Sequence, residues 1–190
     1  MDADAKQFIL PFDFFVDHWG DNGHILMPAC ASFCIFYMKK YWLGFWLFFA
    51  ANVCINVMLK RLICQERPMR TTEDKTSYDY YGMPSGHSQT VMYSFAYIVL
   101  LANQNALVYI AFFFLSLVVM YQRHKSKKHS ISQIVVGGAL GLCLGYLSYR
   151  LVKHYIETSE LDAEPEHQIG NYPSYSFDTK LENRHSSLFL

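Results

Sequence analysis

Long apolar runs without a charged residue alternate with short polar segments over most of the chain. The runs cover 22–38, 41–59, 88–122 and 130–149, and none of them contains Asp, Glu, Lys or Arg. A bilayer core takes about 20 apolar residues as a helix. The longest run is interrupted by Asn103-Gln104-Asn105, so it divides into two helices. The pattern predicts five membrane spans, near residues 24–38, 41–59, 86–102, 106–122 and 131–150.

The more polar segments before and after these runs predict a chain of three parts. Residues 8–19 are rich in aromatics but also hold a proline, two aspartates and a histidine, which suits a segment lying at the membrane surface. Residues 153–190 hold seven Asp or Glu and three Lys or Arg, which predicts a flexible polar tail. We expect an N-terminal interfacial segment at 1–23, a transmembrane domain at 24–152 and an acidic tail at 153–190.

The composition favours a membrane protein over a large soluble helical domain. Hydrophobic residues make up 52% of the chain and charged residues 17%, where about 25% charged is usual for a soluble domain. The formal net charge is zero, which argues against a nucleic-acid partner. The five cysteines fit no zinc-binding spacing and are expected to pack as small apolar residues. The sequence therefore predicts an all-α membrane bundle of about five helices, or six if the N-terminal segment also crosses.

Three polar clusters lie where the apolar runs end. In a bundle of helical hairpins, the end of the second span, the start of the third, the end of the fourth and the start of the fifth share one membrane face. Topology alone therefore gathers the clusters at that face. They comprise Lys60, Arg61, Arg67, Pro68 and Arg70; then Pro84, Ser85, Gly86, His87, Ser88 and Gln89; and finally Arg123, Lys125, Lys127, Lys128, His129 and Gln133.

The chemistry of these clusters predicts a phosphoryl-transfer site that needs no metal or cofactor. Arginine matches phosphate oxygens with a planar fork, and lysine supplies a point charge. A helix that starts at Pro-Ser-Gly offers free backbone N–H groups to an anion, and Gly86 lets the anion approach closely. A neutral imidazole can attack phosphorus, while a protonated one can give its proton to the leaving oxygen. Taken singly, each residue could also be a headgroup contact, a helix cap or an ordinary hydrogen-bonded histidine.

The spacing of these residues resembles the three motifs of the type 2 phosphatidic acid phosphatase superfamily, which also holds bacterial acid phosphatases and vanadium haloperoxidases. Lys60 with Arg67-Pro68 is similar to KxxxxxxRP, and Pro84-Ser85-Gly86-His87 matches PSGH. Residues 122–133 resemble SRxxxxxHxxxD, but Gln122 replaces the usual Ser and Gln133 the usual Asp.

Within that superfamily, the dolichyl-diphosphate phosphatase branch resembles this chain most. It too carries Gln at the place of Gln133, followed closely by Gly-Gly, and it has a stretch similar to residues 81–89. The branch is largely apolar between the motif Arg and the motif His. This chain instead carries His124, Lys125, Ser126, Lys127 and Lys128.

The resemblance implies a phospho-histidine mechanism. His129 would be the nucleophile, His87 would protonate the leaving oxygen, and Gln133 would orient His129. A Gln brings no negative charge to the imidazolium, so the resemblance also raises the question of weak activity. The phosphate oxygens would be held by Lys60, Arg67, Ser85, Gly86 and Arg123.

The resemblance implies a polyprenyl diphosphate substrate, such as dolichyl diphosphate, at the membrane surface. Our own hypothesis is that Lys125, Lys127 and Lys128 contact its second phosphate, and the alternative is a basic loop that faces lipid headgroups. A phosphatidic acid or other lipid monophosphate phosphatase is the competing enzyme. A catalytically inactive protein that binds lipid phosphate is the competing non-enzyme. A transporter would need ionisable residues inside the spans, and the apolar runs contain no Asp, Glu, Lys or Arg.

The resemblance also implies a multi-pass protein of the endoplasmic reticulum membrane, with its site on the lumenal face and its tail in the cytoplasm. The positive-inside rule opposes this orientation, because nine Lys or Arg lie on the predicted site side and four on the other. Several of the nine have a phosphate-binding reason to be present, so we expect the lumenal orientation.

Overall fold

The computed structural model describes residues 11–69, 73, 74, 77, 80–101 and 106–161. These residues form five helices and no strand; only an isolated bridge joins Glu66 and Tyr81. The all-helical prediction is confirmed. The helices are α1 (Pro11–Ile35), α2 (Lys39–Ile63), α3 (Gly86–Leu101), α4 (Ala106–Lys125) and α5 (Ile131–Leu161).

The chain divides into two compact units, Met1–Glu157 and Thr158–Leu190. The first unit holds the bundle. Of the second unit, the structure describes only Thr158 to Leu161, which are the last residues of α5. The rest of the predicted tail lies outside the described residues.

Within the described ranges, three helices are long and apolar enough to cross a membrane: α2, α4 and Ile131–Glu160 of α5. Their outward faces carry large exposed apolar side chains, including Leu43, Leu107 and Leu151. Helix α3 has 16 residues, which at 1.5 Å per residue is about 24 Å, shorter than a bilayer core of about 30 Å. The spans predicted near 24–38 and 86–102 correspond to the second half of α1 and to α3, and neither helix is among these three.

The predicted boundaries at residues 23 and 152 both fall inside helices. Helix α1 starts at Pro11, because the aspartates of its first half pair with cations of α4 and the following loop, as in the contact of Lys125 Nζ with Asp13 Oδ1 at 2.9 Å. Helix α5 runs past residue 152 because Val152 and Ile156 are buried in the bundle. Helix α1 thus crosses the first predicted boundary and α5 crosses the second.

Helix α3 is the central helix of the bundle. Its residues from Ser88 to Ile98 are almost all buried, as expected for a helix covered on every side. The Tyr93 hydroxyl donates to the backbone oxygen of Phe45 at 3.1 Å, and the Tyr97 hydroxyl donates to that of Tyr41 at 2.9 Å. These bonds hold α3 against α2 and give each of the two hydroxyl groups a backbone acceptor.

Helix α5 packs directly on the backbone of α3 through three glycines spaced four residues apart. A Cβ at Gly137 would lie 2.4 Å from the Ser85 oxygen, and one at Gly141 would lie 2.1 Å from the Gln89 oxygen. At Gly145 the corresponding distance to the Tyr93 oxygen is 2.6 Å. Only a residue without a Cβ fits at such distances, so this stripe sets how closely the two helices approach.

Candidate active site

A cavity of about 680 Å³ lies where α1, α2, α3 and α4 meet the loop before α5. One part of its wall is polar and the other is apolar. The polar part brings together residues from all three predicted clusters: Lys60, Arg67, Gly86, His87, Arg123, Lys128 and His129. The apolar part is formed by Ile25, Pro28, Trp46, Phe49 and Val53 of α1 and α2. The cavity thus joins a cationic pocket to a hydrophobic slot.

Helix α2 delivers Lys60 to this cavity from a polar column on its buried face. Asn52, Asn56 and Lys60 follow one another at intervals of four residues, and each is at most 3% exposed. Helix α2 ends just beyond, at Cys64, which has a left-handed φ of 51° and donates its N–H to the Lys60 oxygen at 3.0 Å. That turn lets the chain return and place Arg67 in the same wall.

The two asparagines were not predicted as site residues. Gln89 links them: its Nε2 donates to Asn52 Oδ1 at 2.8 Å, and its Oε1 accepts from Asn56 Nδ2 at 2.6 Å. Asn52 and Asn56 both line the cavity, and Asn52 Nδ2 has no hydrogen-bond partner among the described residues. The signal that could have revealed them is their four-residue spacing ahead of Lys60 within an apolar run.

Arg123 is almost fully buried and contacts three other side chains of the site. Its Nε donates to Gln122 Oε1 at 2.8 Å, and its Nη2 forms an ion pair with Asp21 of α1. Its Nη1 lies 3.2 Å from His87 Nε2. A guanidinium only donates, so His87 accepts through Nε2. In the unliganded site, His87 therefore carries its proton on Nδ1.

His129 lies in the loop between α4 and α5, with its ring held by Gln133. The Nδ1 atom of His129 is 3.2 Å from Gln133 Oε1, and Gln133 Nε2 donates to the Glu66 oxygen at 2.9 Å. The Gln133 amide nitrogen is bound to a carbonyl, so the amide oxygen Oε1 faces the imidazole. That oxygen can only accept a hydrogen bond. His129 Nδ1 therefore carries the proton and donates it to Gln133. This leaves the Nε2 lone pair of His129 available.

Burial lowers the pKa of His129 to about 3, and the charges of Arg67 and Lys60 act in the same direction. The hydrogen bond to Gln133 opposes this shift and raises the pKa. His129 is therefore a neutral imidazole at neutral pH. That is the form in which a histidine acts as a nucleophile.

The two predicted residues at the start of α3 have different positions. Gly86 lines the cavity. Ser85 lies behind it: its N–H donates to the Gln133 backbone oxygen at 3.0 Å, and its Oγ accepts from the Ser88 hydroxyl at 3.1 Å. Ser85 thus caps α3 and joins it to α5, and it is absent from the cavity wall.

The three lysines predicted to contact a second phosphate also have different positions. Lys128 lines the cavity. Lys125 Nζ instead contacts Asp13 Oδ1 at 2.9 Å and Asp17 Oδ1 at 3.4 Å on α1. Lys127 has a left-handed φ of 54° and lines a second depression of about 440 Å³ on another side of His129. Lys128 is therefore the only member of this group that the geometry brings to the cationic pocket.

The described residues contain no group of three or more His, Cys, Asp or Glu side chains that could hold a metal ion. The chemistry of the pocket rests on its cations, the amide of Gln133 and the three imidazoles that line it, those of His24, His87 and His129.

Comparison with known proteins identifies similar chains. The sequence profile of the PAP2 superfamily matches residues 24–157. Dolichyldiphosphatase 1 of Dictyostelium discoideum is 30% identical over 130 residues, which are 63% of this chain and 56% of that protein. The chloroplastic lipid phosphate phosphatase epsilon 1 of Arabidopsis thaliana is 30% identical over 108 residues, which are 53% of this chain and 37% of that protein. The chain thus spans only part of the length of both relatives.

A solved structure with a similar fold is the transmembrane PAP2-type phosphatidylglycerolphosphate phosphatase from Bacillus subtilis. It aligns with a TM-score of 0.56 over 80% of each chain, at 22% sequence identity. At this identity the likeness concerns the fold.

Changing Gln133 to Asp tests the electrostatics of the His129 position. A carboxylate in place of the amide stabilises the imidazolium, so Gln133→Asp should raise the pKa of His129 by about one unit or more. The measurement is a pH titration of ¹⁵N-histidine-labelled protein by NMR, with His129→Gln used to assign the signal. An unchanged pKa would show that residue 133 does not control the charge of His129.

Proposed function

The chain belongs to the PAP2 superfamily, and on that basis we propose that it is an integral membrane phosphatase that hydrolyses a lipid diphosphate. The observation that carries this proposal is that one and the same cavity is lined by Lys60, Arg67, His87, Arg123 and His129. Three cations suit the oxygens of a phosphoryl group. Of the three imidazoles at this cavity, His129 supplies the nucleophile and His87 the acid.

In the proposed mechanism, His129 Nε2 attacks phosphorus as the bond from phosphorus to the leaving oxygen breaks. Gln133 holds the ring through Nδ1–H, and the leaving oxygen takes its proton from His87. Bound phosphate competes with His87 for the Arg123 guanidinium and adds negative charge nearby, and both effects favour protonation of His87. Water then attacks phosphorus and gives a proton to His87, while the bond from phosphorus to His129 Nε2 breaks. This releases inorganic phosphate and restores both His129 and the protonated His87. Lys60, Arg67 and Arg123 stabilise the charge that develops on the phosphoryl oxygens.

The apolar slot supports a lipid as the substrate. Ile25, Pro28, Trp46, Phe49 and Val53 line the cavity beside the cationic pocket, so an anionic head and an apolar tail find matching surfaces. A polyprenyl diphosphate is our first choice, because it offers a second phosphate to Lys128. The similarity to a dolichyldiphosphatase favours the same class. The similarity to a lipid phosphate phosphatase keeps a lipid monophosphate as the second candidate.

We further propose that the protein resides in the endoplasmic reticulum membrane with the cavity on the lumenal side. The described contacts weaken the argument from the positive-inside rule. Arg123, Lys125 and Lys128 form ion pairs with aspartates of α1, so these three cations are partly neutralised within the protein. They are therefore poor indicators of a cytoplasmic face.

Replacing His129 with alanine tests the enzymatic proposal. Release of phosphate by purified protein should fall by at least about 10³-fold, with a polyprenyl diphosphate or with phosphatidic acid, because the nucleophile is lost. His124→Ala is the matched control, since His124 lies in the last turn of α4, close to His129 in the chain, but is absent from the cavity wall. Equal release by wild type and His129→Ala would favour a protein that binds lipid phosphate without hydrolysing it.

Replacing Lys128 with serine tests the preference for a diphosphate. Losing one charge-assisted contact, worth about 1.5–3 kcal/mol, should lower kcat/KM for the diphosphate by about tenfold or more. The value for a monophosphate should change less. Lys127→Ser is the control, because Lys127 lines the separate depression. Equal losses with both substrates would remove Lys128 from recognition of the second phosphate.

The orientation can be tested with two single substitutions that create glycosylation sites in a chain that has none. Lys75→Asn produces Asn-Thr-Ser at residues 75–77, between α2 and α3. Pro173→Ser produces Asn-Tyr-Ser at residues 171–173, in the predicted cytoplasmic tail. We expect a mobility shift that endoglycosidase reverses for the first variant and none for the second. The opposite pattern would place the cavity in the cytoplasm.

A further inference from the structure

An aspartate of α1 stands in the cationic pocket where the proposed substrate places its phosphate. Asp21 lines the cavity, and its Oδ1 forms an ion pair with Arg123. The same oxygen lies 3.1 Å from Lys128 Nζ and accepts from Gln122 Nε2 at 3.3 Å. Arg123 and Lys128 are the donors assigned above to the two phosphates. The Asp21 carboxylate therefore accepts hydrogen bonds from the same donors that would bind the phosphate oxygens.

The packing of α1 on α4 fixes this position of Asp21. A Cβ at Gly20 would lie 2.2 Å from the Cβ of Gln122, and one at Gly23 would lie 2.2 Å from Val119 Cγ2. The two glycines that flank Asp21 thus let α1 lie against α4 at the level of Arg123. One and two turns earlier, Asp17 and Asp13 contact Lys125. The contact of Asp21 with the pocket is therefore set by a tight helix interface.

The exposures of the two partners differ in a way that suits an exchange. The Arg123 side chain is 4% exposed, whereas that of Asp21 is 49% exposed. A buried guanidinium without an anion is costly, so the unliganded site needs Asp21 or a substitute. A half-exposed carboxylate can return to water at little cost when another anion takes over Arg123.

We propose that Asp21 is a specificity-determining residue that competes with phosphate for Arg123 and Lys128. This inference rests on the proposed function, since it takes the cationic pocket to be the phosphate site. Asp21 weakens the binding of free inorganic phosphate, which has no apolar tail to add affinity. A lipid substrate compensates with its apolar tail in the slot. The competition therefore favours entry of the lipid and release of the phosphate product.

The test is calorimetric binding of inorganic phosphate and orthovanadate to wild type, Asp21→Asn and Asp17→Asn in detergent. Asp21→Asn should bind both anions about tenfold more tightly, because the competing charge is gone. Asp17→Asn should match wild type, since Asp17 contacts only Lys125 among the described cations and is absent from the cavity wall. Unchanged or weaker binding by Asp21→Asn, with normal binding by wild type, overturns the inference alone. Absence of anion binding by both wild type and Asp21→Asn would contradict the assignment of the pocket as a phosphate site.

Thermal unfolding separates competition from a purely structural ion pair. Removing the Asp21 charge leaves Arg123 without its carboxylate, so Asp21→Asn should unfold at a lower temperature than wild type. Added phosphate should restore much of that loss, and its stabilising effect should exceed that on wild type or Asp17→Asn. Asp21→Ser should behave in the same way. A loss that phosphate does not restore would assign Asp21 to folding only and contradict the proposal.

Discussion

The buried charge of Arg123 is the constraint on which the site depends. A guanidinium withdrawn from water must be paired and hydrogen-bonded, and here α1, α3 and α4 all contribute to that pairing. Gln122 binds its Nε, His87 approaches Nη1, and Asp21 binds Nη2. The arrangement joins an imidazole and a carboxylate through one cation. Any anion that enters the pocket therefore changes the environment of both.

The sequence was sufficient to predict the helical fold and most of the cationic pocket. The period and the length of an apolar run can be read from the local sequence. Helices α2 and α4 therefore lie close to their predicted positions. The pocket could be predicted because helices joined as hairpins bring alternate connections to the same membrane face. The role of α1 could not be predicted, because its aspartates made this segment look too polar for a helix of the bundle. Their partners lie more than 100 residues away, as in Gln122 and Asp21, and no local pattern reports such a pairing.

Two glutamines replace the residues usual in the family motif, and both have a structural reason in this chain. Gln133 accepts from His129 with one end of its amide and donates to the Glu66 oxygen with the other. A carboxylate could perform only the first of these. Gln122 similarly donates to Asp21 and accepts from Arg123. Each amide joins a donor to an acceptor across two elements, and at residue 133 this connectivity replaces the charge of the usual Asp. The motifs alone reveal that glutamines replace the usual residues, but not the second group to which each amide binds.

The glycine stripe of α5 makes the α3–α5 contact a rigid joint between two backbones. His87 stands at the start of α3 and His129 just before α5, so this joint controls the gap across which the two imidazoles act. Side chains can change rotamer under lateral pressure, but touching backbones cannot approach further. A change in bilayer thickness or lipid composition would therefore tilt the outer helices before it altered the distance between His87 and His129. That distance is thus shielded from the variable lipid in which the bundle lies.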